Sequence, residues 1–248
     1  MPLMTTVRRR GSYGVDAPYV VFGLACAVVG MVFAGIGVTF GFGIAFGWIP
    51  FAVAAIELVS VALYLHTTRR GKFVVWSGLL DDLGLRGDER LLDLGCGRGA
   101  VLLMAAERLP AGEAVGVDLW RTVDQSGNAP AVTERNAEAE GVRDRIELRT
   151  GDMTALPFDD ASFDVIVSSL AIHNIKNPGA RTRAIDEAVR VLRPGGRLLI
   201  ADMAAIDDHR RRLADLGLTD VRVRPLGWRM WWGGPWMGTR ALSAGKPS

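Results

Sequence analysis

Leu91-Leu92-Asp93-Leu94-Gly95-Cys96-Gly97-Arg98-Gly99 is the stretch on which the fold of this chain turns. Its apolar start suits a buried parallel strand, and glycines at 95, 97 and 99 end that run just before a helical pattern from Ala100 to Arg108. A turn of this kind brings bare backbone against a ligand. Glycine serves there because it accepts positive φ and has no Cβ to hold a ligand away. The spacing is G-x-G-x-G rather than the G-x-G-x-x-G of nicotinamide and flavin binders, which counts against a dehydrogenase. Glycine-rich turns also arise for steric reasons alone, so the elements that follow must decide.

A second apolar strand, Ala114-Val115-Gly116-Val117, ends in Asp118, where a βαβ unit places an acid for ribose hydroxyls. Ile146 to Arg149 leads into Gly151-Asp152-Met153, and Phe163-Asp164-Val165-Ile166-Val167 into Ser168 to Asn174. With LLDLGCGRG, VGVD, GDM, LPFDDASFDVIVSSLAIHN and RVLRPGGRLLIAD in this order, the chain resembles the class I S-adenosylmethionine-dependent methyltransferases. The branch it looks most like acts on quinones, sterols and other small hydrophobic molecules. The resemblance spans residues 71 to 205. It implies a doubly wound, seven-stranded, Rossmann-like α/β sheet and S-adenosyl-L-methionine as cofactor, and says little about the acceptor.

The same resemblance implies a set of site residues. Gly95 and Gly97 pass beneath the methionyl part of the cofactor, with Cys96 and Gly99 in the same turn, and Asp93 orients loop amides or the amino group. Asp118 takes the ribose, and Leu119 and Trp120 wall the adenine. Asp152 accepts from the adenine amino group, Met153 packs on the ring, and Ser169 ends the fourth strand beside them. The polar segment Arg121 to Ala129 is either a lid or substrate loop at the strand ends or a solvated loop.

Methyl transfer from a sulfonium is an in-line displacement that mainly needs alignment in a water-poor pocket. His173 is the candidate base should the nucleophile be a hydroxyl or phenol. A backbone hydrogen bond is its structural alternative, and a carbon or nitrogen acceptor needs no dedicated base. The turn Pro194-Gly195-Gly196 is structural by the resemblance, and Asp202 at the strand end either faces the pocket or, as the preferred reading, is a surface acid.

The net charge of +2 gives no reason to expect nucleic acid as a partner. Cys26 and Cys96 suggest no disulfide framework, and His66, His173 and His209 are too scattered for a metal site.

Between Asp16 and Glu57 no residue is charged. One bilayer span takes about 20 apolar residues, so this length suits two helices, near 19–40 and 46–65. Domain organisation follows: residues 1–70 as a membrane anchor, 71–248 as the methyltransferase domain. Arg8-Arg9-Arg10 and Arg69-Arg70-Gly71-Lys72 flank the pair, which places both termini and the domain on the cytoplasmic side of a cell membrane. A cleaved signal peptide and a buried soluble hairpin are the alternatives. Small residues pair at four-residue spacing, Gly23/Ala27, Gly30/Ala34, Gly37/Gly41 and Gly43/Gly47, a pattern that closes a hairpin or makes a homodimer. Glu57 falls near mid-membrane, either as a functional acid or as a protonated group hydrogen-bonded within the hairpin or across a dimer. Lys72, Phe73 and Trp76 suit the headgroup interface. Four tryptophans in 228–237 suggest either a core cap or a membrane-contacting, substrate-covering surface.

The expected function is methyl transfer from S-adenosylmethionine to a hydrophobic small molecule or lipid reached from the bilayer. Transfer to a soluble acceptor, and a membrane-bound cofactor sensor without turnover, are the alternatives. A sensor needs no cavity beyond the sulfonium, whereas an enzyme needs one reaching His173.

Overall fold

The computed structural model describes residues 9–42 and 44–248. Arg8 of the basic flank and Gly43 of the glycine pairs lie outside the described residues. Leu91 to Leu94 are buried throughout in β1 (Arg90–Leu94), as a strand covered on both faces must be. Around it lie β2 (Glu113–Asp118), β3 (Ile146–Thr150), β4 (Phe163–Ser169), β5 (Leu192–Asp202), β6 (Thr219–Pro225) and β7 (Arg240–Gly245), in the order β3-β2-β1-β4-β5-β7-β6. β1 to β5 are parallel, and β7 runs antiparallel between β5 and β6. This is the doubly wound, seven-stranded sheet that the motif order implies. The chain winds outward from β1 to β3 and then crosses to β4 on the other side of β1. The carboxyl ends of β1 and β4 therefore part at a switch point, where open α/β sheets bind ligands.

Helices cover both faces. α3 (Lys72–Asp82) and α4 (Ala100–Ala106) bury Trp76, Leu80, Leu102 and Leu103 on one side, where α5 (Pro130–Glu140) adds Ala137. α6 (Pro178–Val191) and α7 (Ile206–Asp215) bury Ile185, Ala188 and Leu213 on the other. α6 starts earlier than its apolar spacing suggests, because Asn177 accepts from the Ala180 N–H at 3.1 Å and Pro178 fits the first turn. The Pro194-Gly195-Gly196 turn is a bulge inside β5: pairing jumps from Phe163 with Leu192 to Val165 with Arg197, and Gly195 sits at φ +73°.

α1 (Pro18–Phe42) and α2 (Ile44–His66) form a hairpin of two helices long and apolar enough to cross a membrane. Only 6% and 17% of their most apolar windows are buried, so neither is a core helix of the sheet domain. The seam between them departs from the expected glycine pairs. Gly23, Gly30, Gly37 and Gly41 face open space, while Gly35 meets the Phe51 ring and Gly47 meets Thr39. The helices turn toward each other the small residues that the Phe51 ring and the Thr39 hydroxyl require. Glu57 is half-buried, and its Oε2 has no hydrogen-bond partner among the described residues.

No linker separates hairpin from domain. A π-helical turn, Thr67–Gly71, carries α2 directly into α3. That continuity overturns the interfacial placement of Lys72, Phe73 and Trp76: the helix delivers all three into the domain, where they are buried. Arg9 belongs to the domain as well. It pairs with Glu107 at 2.7 Å and Glu140 at 3.3 Å, and the segment it begins is strapped down by Ser12 on Asn136 and Val15 on Ser126.

The 228–237 loop divides between its two readings. Trp232 is buried against Tyr64, whereas Trp228 and Trp236 stay exposed. The loop wraps the π turn, with the Thr67 hydroxyl donating to Trp231 O at 2.7 Å and a Cβ at Gly71 colliding with the Arg229 carbonyl. Gly71→Ala should therefore cost about 1–3 kcal/mol by overpacking. Thermal unfolding of the purified variant checks this, and an unchanged melting temperature contradicts it.

Candidate active site

A cavity opens at the carboxyl ends of β1, β2 and β4. Asp93, Gly95, Cys96, Gly97, Asp118, Leu119, Asp152, Met153, Ser169 and His173 all line it, so one crevice collects ten of the twelve residues expected from the sequence. The other two point elsewhere. Gly99 starts α4 at φ +84°, packed near Leu103 and Thr133, and serves the turn rather than the cavity. Trp120, at φ +57°, sends its indole N–H to Thr150 Oγ1 at 2.9 Å, leaving exposed Leu119 as the apolar wall.

The turn is fixed by its neighbours. Gly95 and Cys96 N–H groups donate to the Val117 carbonyl at 2.8 and 3.2 Å. Gly97 N–H donates to Asp118 Oδ2 at 2.9 Å, while Asp118 Oδ1 accepts from Trp120 N–H at 2.5 Å and from Asn128 at 3.2 Å. One carboxylate thus ties the glycine turn to both ends of the 119–129 loop around the crevice. Gly95, at φ +75°, and Gly97, at φ +51°, have no room for a Cβ: it would strike the Ala171 methyl at the first and lie 2.5 Å from Gln125 Oε1 at the second.

The 121–129 segment is a fastened wall. Gln125 Oε1 accepts from Arg98 N–H at 2.8 Å, and its Nε2 donates to Asp16 Oδ1 at 2.9 Å and Tyr13 O at 3.2 Å. Arg121, Asp124, Gln125 and Asn128 line the cavity. Across the crevice, Ser169 accepts from the indole N–H of Trp76 at 2.8 Å.

His173 lies at the cavity wall with Nδ1 2.7 Å from Asp202 Oδ1, and its backbone N–H donates to Asp202 Oδ2 at 3.2 Å. Asp202 is therefore not a surface acid. β5 runs far enough to bury it beneath the turn that carries His173. A carboxylate on Nδ1 holds the imidazole in the tautomer whose Nε2 lone pair is free, and Nε2 has no partner among the described residues. The continuous apolar run of β5 gave no sign of this partnership, because it depends on strand length and turn geometry.

Sequence reading missed most of the far wall: Asp16, Ala17, Tyr19, Tyr64 and Lys72 line the same cavity, joined by Trp232 from the segment read as a core cap or a substrate-covering surface.

The crevice fits S-adenosylmethionine. Asp93 is fully buried, and its Oδ1 has no partner among the described residues, a state that a buried carboxyl resolves by meeting a cationic donor such as an α-ammonium. Burial, reinforced by the nearby Asp118 charge, pushes the Asp93 carboxyl up to about 8. Burial, then Asp93 and Asp118, likewise raises the Cys96 thiol, so it is a wall and not a nucleophile. With its pKa raised on folding, Asp93 keeps a proton that the unfolded chain releases, and stability of the free protein falls as pH rises from the ordinary carboxylate range to about 8. A cationic ligand that ionises Asp93 expels that proton. Cofactor affinity should accordingly rise by up to about tenfold per pH unit below 8. Calorimetry at pH 7 in buffers of different ionisation enthalpy should show roughly one proton released, and none with Asp93→Asn; equal heats in all buffers would refute the linkage.

The fold, the glycine turn and this acidic crevice are similar to those of the class I S-adenosylmethionine-dependent methyltransferases. Residues 92–200 match the family described as "Methyltransferase domain". A ubiquinone/menaquinone biosynthesis C-methyltransferase UbiE of Dinoroseobacter shibae is 38% identical over 136 residues, 53% of this chain and 50% of that protein. A demethylmenaquinone methyltransferase of Thermus thermophilus is 35% identical over 131 residues, 51% and 53% of the two chains. The chain thus spans about half the length of the curated relatives it matches. Among solved structures, a SAM-dependent methyltransferase from Aquifex aeolicus superposes with a TM-score of 0.52 at 18% identity, covering 68% of this chain and 88% of that one.

Proposed function

We propose that the chain is a membrane-anchored methyltransferase that moves the methyl group of S-adenosylmethionine to a hydrophobic small molecule of the quinone class, taken from the bilayer. The observation that carries this is the reach of a single cavity: it runs from Asp93 and the glycine turn past His173 to Tyr19 and Tyr64 of the hairpin. A sensor would need nothing beyond the sulfonium. The curated relatives named for quinone C-methylation support the acceptor class. The proposed organisation is a two-span anchor followed by a catalytic domain held against the cytoplasmic membrane face, with Arg69, Arg70, Trp228 and Trp236 exposed at the hairpin base.

When bound, the cofactor supplies an electrophilic methyl on a sulfonium. The chain's own residues do the rest. Gly95 and Gly97 let the backbone approach, and the ionised Asp93 holds a cationic group. Apolar walls exclude water, and His173, oriented by Asp202, takes a proton at Nε2 from a ring hydroxyl of the acceptor, whose oxyanion makes the neighbouring ring carbon nucleophilic even where carbon is the atom methylated. Incubation of the full chain in lipid nanodiscs with methyl-labelled cofactor, a lipid extract and soluble metabolites tests the reading. Label in a lipid of quinone type supports it; label confined to a soluble metabolite overturns it.

A further inference from the structure

The hairpin base contributes more than attachment. Tyr64, in the last turn of α2, and Trp232 pack edge-to-face with ring centroids 5.1 Å apart, both buried and both lining the cavity. Their polar ends are already committed: the Tyr64 hydroxyl donates to Asp16 O at 2.9 Å, and the Trp232 indole to Thr239 Oγ1 at 3.0 Å. What they offer the cavity is ring surface, suited to a flat aromatic.

Beside them is Lys72, whose side chain is only 5% exposed. An ammonium has three donors. Lys72 Nζ has one hydrogen-bond partner among the described residues, Asp16 Oδ2 at 2.7 Å, and lies 5.5 Å from the centre of the Phe73 ring, so a buried cation at the cavity keeps hydrogen-bonding capacity to spare. Asp16 shares its carboxylate among three donors, accepting also from Thr68 at 2.5 Å and Gln125 at 2.9 Å. Tyr19, 60% exposed in the first turn of α1, stands at the rim, so the cavity opens where the two helices meet the domain.

Resting on the functional reading above, we infer that the hairpin base is the acceptor subsite: a hydroquinone ring enters from the bilayer between the start of α1 and the end of α2, lies against Tyr64 and Trp232, and gives a ring oxygen to Lys72. The acceptor's apolar tail stays along the hairpin, so the ring reaches the crevice without crossing water. A charged hydrogen bond of this kind selects an oxygen-bearing ring over a plain hydrocarbon.

The test uses the full chain in nanodiscs with labelled cofactor and two reduced probes: a 2-polyprenyl-1,4-naphthohydroquinone in the bilayer, and tail-less 1,4-dihydroxynaphthalene. Lys72→Met should lower kcat/KM on both by about thirtyfold, the loss of one charged hydrogen bond, while cofactor Kd holds within threefold. Lys72→Arg should recover part of the loss. Tyr19→Arg, at an exposed position on the cavity rim, should depress transfer to the tailed probe about tenfold more than transfer to the tail-less one, through a charge placed at an apolar portal. Transfer indifferent to both changes, or cofactor Kd moving in step with kcat/KM, overturns the subsite. Label in another lipid but in neither hydroquinone overturns the occupant. No transfer to any lipid, with cofactor bound, overturns the functional reading itself.

Discussion

Gly95→Ala should abolish useful cofactor binding, weakening it by at least about a hundredfold. Two penalties combine. The residue sits at φ +75°, where a Cβ costs about 1–2 kcal/mol. The Cβ would also strike the Ala171 methyl, which is buried at the start of the turn carrying His173, and such overpacking costs about 1–3 kcal/mol. Together these reach roughly 3 kcal/mol, two decades in affinity. The strain falls on the loop that must lie under the cofactor and on the turn opposite, so binding and turnover should fail together. Adding Ala171→Gly removes the collision but not the positive φ, and should restore about tenfold. Calorimetric Kd values for wild type, single and double variants decide it. An unimpaired Gly95→Ala protein would mean that the cofactor does not approach this turn.

Asp202→Asn should lower kcat by roughly a hundredfold or more while leaving cofactor Kd within a few-fold, the range set by loss of a general base. An amide in place of the carboxylate can donate to Nδ1, which moves the imidazole proton to Nε2 and blocks proton uptake from an acceptor. Its effect should match that of His173→Gln, and the two together should cost little more than either alone, since the pair acts as a unit. Asp202 also accepts from the Met203 and His173 backbone N–H groups, so the melting temperature of Asp202→Asn must be measured alongside. Rates that fall additively would make Asp202 a structural residue with no hold on His173.

The central part of the chain was open to sequence reading because its constraints are local. A strand buried on both faces, glycines needing positive φ and an acid at the next strand end each leave a mark within a few residues. What the sequence hid depends on distance. Asp202 looks like any strand-end acid until β5 is seen to run beneath the His173 turn. Lys72 and Trp76 looked interfacial because they follow an apolar span, and only the unbroken π turn shows that they enter the domain. Gly35 and Gly47 sit in the helix seam instead of the evenly spaced pairs, since contact is set by the bulk of Phe51 and Thr39 opposite. Asp16 and Tyr64 bear on the cavity only because the hairpin returns to its own origin.

Titration of S-adenosylmethionine into the full chain in nanodiscs tests the central claim most directly. One molecule should bind per chain, with a proton leaving Asp93 at pH 7 and with binding lost in Gly95→Ala. Absence of binding, or equal binding by the Gly95→Ala protein, would contradict a cofactor seated on the turn between β1 and α4.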